Sequence, residues 1–97
     1  MNELVKIKKI LQESKPSLKR QFKIKDIGIF GSYVRGKNRS NSDVDILVTF
    51  SRTPGFFDYL KAEAFLSRIL NKRVDLVMKG SLKPTIGKHI LREVFYV

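Results

Sequence analysis

Apolar residues first recur at helical spacing, at Leu4, Ile7, Ile10 and Leu11, with Lys6, Lys8, Lys9, Gln12 and Glu13 around them. Residues 2–14 are therefore read as an amphipathic helix whose apolar stripe faces a core. Pro16 is read as the first turn of a short second helix, with Ser14 as its cap and Leu18 and Phe22 facing inward. The pattern then shortens. Residues 25–30, with Ile27, Ile29 and Phe30, read as a strand, as do Ile46, Leu47, Val48 and Phe50, and a third run at residues 73–78. Thr53-Pro54-Gly55 marks a turn, after which residues 56–70 return to helical period, with Tyr59, Ala62, Leu66, Ile69 and Leu70 on one face. Phe65 falls among charged residues and is read as an ordinary exposed aromatic or a partner contact. Pro84 opens a last helix with Ile86, Ile90 and Val94 inward, and Phe95-Tyr96-Val97 follows as a short edge strand or a segment docked on the core. The expectation is one α/β (α+β) domain over residues 1–97: a small mixed sheet with helices packed on one face. No repeat or low-complexity segment interrupts it.

Between the first two strands lies Gly-Ser-Tyr-Val-Arg-Gly-Lys-Asn-Arg-Ser-Asn-Ser-Asp-Val-Asp, residues 31–45. A strand ending in Gly31-Ser32 can expose backbone N–H groups and a hydroxyl to an anion, although Gly-Ser also serves as a plain turn. Strand alternation puts Asp43 and Asp45 on one face at the mouth of the second strand. Two unpaired carboxylates so close repel, which a hard cation such as magnesium relieves while it also takes substrate phosphates. The alternative is that Ser42-Asp43 caps a turn and Asp45 is solvated. Asp75, inside Val74-Asp75-Leu76-Val77, is a third carboxylate on a strand, where propensity and burial disfavour it. The loop cations Lys37 and Arg39 are read as solvated ahead of phosphate-bound, and the lone His89 as a surface residue without an acidic partner.

Composition narrows the chemistry. The chain has 97 residues, 42% of them apolar, enough for a modest core. It has no cysteine, which excludes disulfides and thiolate metal sites and leaves oxygen ligands. Twenty basic against nine acidic residues give a formal charge of +11, consistent with a polyanionic partner (a nucleotide triphosphate, a nucleic acid or an acidic protein face) or simply with solubility. Three of the nine acidic residues fall in the proposed site. The lysine-interrupted N-terminus reads as neither signal peptide nor spanning helix, so the expected location is cytoplasmic, with no membrane partner.

Gly-Ser, ten residues, Asp-x-Asp, and a later strand aspartate together resemble the nucleotidyltransferase superfamily that includes DNA polymerase beta. The Arg35-Gly36 step, the five-residue loop before Ser42-Asp43, and the helix ending Arg68-Ile69-Leu70-Asn71-Lys72-Arg73 before Val-Asp-Leu-Val resemble the minimal nucleotidyltransferases (MNT), antitoxin partners of HEPN-domain toxins. Val34, Ile46 and Asn71 depart mildly from that pattern, with asparagine replacing a usual glycine at a left-handed helix cap. The resemblance implies a polymerase beta-like fold. It implies that Asp43, Asp45 and Asp75 hold magnesium, two ions, and that Gly31 and Ser32 bind the phosphates of ATP. It further implies AMP transfer to a hydroxyl, a tyrosine of a HEPN toxin, with oligomerisation through that toxin. Alternatives are transfer to RNA or a small molecule, and a binding-only antitoxin that acts by occlusion.

Overall fold

A computed structural model describes residues 2–97; Met1, the first position of the expected domain, lies outside the described residues. Helix α1 (Glu3–Phe22) opens on Asn2, whose side-chain oxygen accepts from the Val5 amide at 2.9 Å. It is one continuous helix, not the two read from Pro16, which sits inside it. Ile7, Leu11 and Leu18 are its buried residues, and the step from Leu11 to Leu18 is close to two full turns, so the buried stripe runs on across the proline. Pro16 is exposed, which leaves the carbonyl it cannot serve open to water. Lys23, in the left-handed region with φ 60°, closes the helix through its amide to the Leu18 and Lys19 carbonyls.

Strand β1 (Ile24–Phe30), a short helix α2 (Ser32–Arg35), strand β2 (Val44–Phe50), helix α3 (Phe56–Leu70), strand β3 (Val74–Met78), a 3₁₀ turn at Lys79–Ser81, helix α4 (Pro84–Glu93) and a two-residue strand β4 (Phe95–Tyr96) complete the chain. The sheet order is β3-β2-β1-β4. β1 pairs antiparallel with β2 and β4, and β2 pairs parallel with β3, the parallel pair being joined by α3 as such crossovers require. Asn71 ends α3 in the left-handed conformation, φ 52°, which lets β3 start three residues later.

Ile27, Ile29, Val44, Ile46, Val48, Val74 and Leu76 turn one face of the sheet into a core with Ile7, Leu11 and Leu18 of α1 and Ala62, Leu66 and Leu70 of α3. Phe30 and Leu47 are buried but lie outside that cluster; by alternation they share the opposite face with Asp45. The C-terminal segment crosses that face at Gly28, where a Cβ would come within 2.6 Å of Val94 Cγ2. Two further expectations fail. Ile86, read as inward, is 58% exposed, because α4 packs through Gly87 and its C-terminal end and not along a full apolar stripe. Phe65, read as an exposed aromatic or partner contact, stacks on Phe22 at 5.2 Å and joins the rim of the core.

The outer edge of β3 is closed by side chains of α3. The Val74 amide donates to Ser67 Oγ at 3.2 Å, the Leu76 amide donates to Glu63 Oε2 at 3.2 Å, and Tyr59 Oη donates to the Leu76 carbonyl.

Candidate active site

β1 runs into Gly31, whose φ of 83° lies where glycine is favoured. A Cβ there would overlap the Asp45 carboxylate, with Cγ only 2.8 Å away. The glycine thus permits both the turn and the approach of β2's aspartate to it. The Val34 and Arg35 amides return to the Gly31 carbonyl at 3.1 Å, while among the described residues the Ser32 and Tyr33 amides have no protein acceptor. These amides and the Ser32 hydroxyl are the donors the turn can offer to an anion. The Gly31 amide is not one of them, because it donates to Glu93 Oε2 at 2.9 Å.

Tyr33 is buried, and its hydroxyl donates to the Ser42 carbonyl at 3.3 Å. Ser42 in turn accepts from the Arg39 amide through Oγ at 2.8 Å and donates its own amide to the Arg39 carbonyl at 3.1 Å. The polar loop of residues 37–41 is therefore pinned immediately before Asp43, which is how a segment without regular structure delivers the first carboxylate reproducibly to β2.

Asp45 on β2 is in register with Asp75 on β3, so the two project from one face of neighbouring parallel strands. Asp43 stands one step before β2, exposed, with Oδ1 3.1 Å from Arg73 Nε. The carboxyl of Asp45 is pushed up to about 6, first by burial and then by the charges of Asp75 and Asp43, with Arg35 opposing and Glu93 adding to the rise. Asp75 is exposed on the edge strand, so the burial penalty inferred for it does not apply; what distinguishes it is its register with Asp45.

Among the described residues no three acidic or histidine side chains converge closely enough to hold a metal by themselves. Asp43 leans instead on Arg73, as expected for one of several like charges beside a cation. The donor set still fits a hard divalent ion, since it is all carboxylate oxygen and its central member is raised by burial and then by the neighbouring carboxylates. Arg35 and Glu93 are site residues that the pattern of the sequence did not disclose. Glu93 Oε1 lies 2.9 Å from Arg35 Nη1, a pairing across 58 positions for which no local motif exists.

A groove of about 650 Å³, lined by Lys23, Arg52, Thr53 and Lys61 among others, sits at the opposite end of the sheet from the aspartates.

Residues 5–96 match the family model described as a nucleotidyltransferase domain. A protein adenylyltransferase named MntA from Thermococcus cleftensis is 48% identical over 97 residues, which cover all of this chain and 98% of that one. A solved structure described as a minimal nucleotidyltransferase superposes with a TM-score of 0.77 at 29% identity, covering 98% of this chain and 95% of that one. A chain of a toxin–antitoxin crystal structure with AMP-PNP gives 0.69, also at 29% identity, covering 99% and 72%. With the Gly31 turn, the paired strand aspartates and these likenesses in agreement, the chain belongs to the nucleotidyltransferase domain family, as one of its minimal, MntA-like members.

Proposed function

We propose that this nucleotidyltransferase moves AMP from ATP to a hydroxyl, that of a tyrosine, on a HEPN-domain toxin in the cytoplasm, and silences it. The observation that carries the reading is the packing of the Gly31 turn against the Asp45 carboxylate, with Asp75 in register beside it: a phosphate-binding turn and the acidic residues occupy one place. The relative named a protein adenylyltransferase supports the transfer, and the toxin–antitoxin structure containing an ATP analogue supports the nucleotide and the kind of partner.

Asp45, Asp75 and Asp43, once released from Arg73, would hold magnesium, two ions in the full site. Bound there, magnesium supplies positive charge to the triphosphate and to the developing oxyanions. Ser32, through its amide and hydroxyl, and the Tyr33 amide bind the terminal phosphates, and Gly31 shapes the turn. Asp75, exposed at the sheet edge, is open to an acceptor hydroxyl and takes its proton. The acceptor oxygen then bonds to the α-phosphorus as the bond to the departing pyrophosphate breaks. Protein labelling with α-labelled ATP and magnesium, with and without the product of the neighbouring gene, tests this. Label on a hydroxyl side chain of that product is the expected result, and its absence in the presence of both proteins would sink the proposal.

A further inference from the structure

We infer that Glu93 is a positioning residue for nucleotide binding: from the last position of α4 it fixes the Gly31 amide and holds Arg35 ready for a phosphate. This rests on the nucleotidyl-transfer reading above. One carboxylate does both jobs. Oε2 accepts from the Gly31 amide at 2.9 Å and from Arg35 Nη1 at 3.1 Å, and Oε1 accepts from the same Nη1 at 2.9 Å. Because both oxygens share one guanidinium nitrogen, Nε and Nη2 of Arg35 have no protein partner among the described residues. Those N–H groups remain available for a second anion. The Glu93 side chain is 22% exposed and that of Arg35 53%, so the anchoring end of the pair is sheltered and the free end is wet.

Asp43, Asp45 and Asp75 already crowd the site, and Glu93 adds to the charges acting on Asp45. A neutral amide or a backbone carbonyl would tie α4 to the Gly31 turn without that repulsion. What a carboxylate adds is a fixed, charge-assisted grip on Arg35, which spares the arginine the loss of freedom that otherwise accompanies phosphate binding. The tie spans 62 positions, so the geometry of the phosphate turn depends on the docking of the C-terminal helix.

Calorimetry with a non-hydrolysable ATP analogue and magnesium tests this on wild type, Glu93→Ala, Glu93→Gln, Arg35→Ala and the double variant Arg35→Ala/Glu93→Ala. We expect Glu93→Ala to weaken binding about tenfold, and Glu93→Gln, which can still accept from the Gly31 amide, to fall between it and wild type. The double variant should lose less than the sum of the two single losses, since part of what Glu93 does passes through Arg35; a tie that acts on the Gly31 turn alone would give additive losses. Wild-type affinity in Glu93→Ala, or additivity, overturns the inference while leaving nucleotide binding standing. If wild type itself binds no analogue, the inference and the reading beneath it both fail. Should Glu93→Ala not fold, Glu93→Gln decides: weakened binding at a wild-type melting temperature supports the role, and unchanged binding overturns it.

Discussion

Gly31 answers two demands at once, a positive φ and the bulk of Asp45 beside it. Gly31→Ala must therefore either push the aspartate away or shift the turn, and we expect it to lower stability by about 1–3 kcal/mol and to abolish transfer. Urea unfolding and the labelling reaction would read the two effects separately; wild-type values in both would show that the close approach is dispensable. Asp45 carries a cost of the opposite kind. Its carboxyl is raised from the ordinary 3.8 to about 6, so the unfolded chain ionises it first. The penalty is absent below pH 3.8, grows between the two values and is complete above about 6. Asp45→Asn should then stabilise the metal-free protein at neutral pH by about 1 kcal/mol, the full shift being discounted because the group is partly solvated. Near pH 3.5 that gain should be close to zero, and thermal melts in chelator at the two pH values check it.

At the scale of elements, α1 shows where the pattern of apolar residues outranks a breaker. Leu18 is legible as an inward residue and Pro16 reads as a boundary on local propensity, while the continuous stripe of Ile7, Leu11 and Leu18 is decided by packing. Pro16→Ala restores an amide to the helix interior at an exposed position and should raise stability by about 1–2 kcal/mol, net of the added freedom of the unfolded chain. A loss on urea titration would contradict this. Strands β1, β2 and β3, helix α3 and the Asn71 cap are legible from their apolar runs, and β1 and α3 run into residues of positive φ, Gly31 and Asn71. Ile86 is not, because a hydrophobic position on a ten-residue helix does not say whether anything covers it. The same limit hid Glu93: the sequence carries Gly31 and Ser32 as a local motif, but a hydrogen bond across 62 positions is a property of the fold alone.

For the whole molecule, the deciding variant is Asp75→Asn. On the proposed mechanism it leaves Asp45 and Asp43 to bind nucleotide with metal and removes the exposed carboxylate that would meet the acceptor. We expect analogue binding within a few-fold of wild type, loss of transfer by at least about 100-fold, and a coexpressed partner without added nucleotide mass and with its toxicity restored. Protection of cells by Asp75→Asn equal to wild type, with an unmodified partner in both, would favour inhibition by occlusion. The net charge of +11 bears on approach, not on chemistry, and its influence on partner association should fade with added salt.

The bonds from Ser67, Glu63 and Tyr59 to the outer backbone of β3 have a consequence for how an acceptor can arrive. An open edge strand invites an extended peptide to zip onto it, backbone to backbone. Here that seam is already sewn shut along Val74 and Leu76, on either side of Asp75. Under the proposed transfer, a visiting protein would find no ladder to extend at Val74 and Leu76 and would meet Asp75 with a side chain presented from its own surface. Such a reaction reads shape before sequence: a short peptide copied from the acceptor segment would be a poor substrate, and the intact fold that displays the hydroxyl would be a good one.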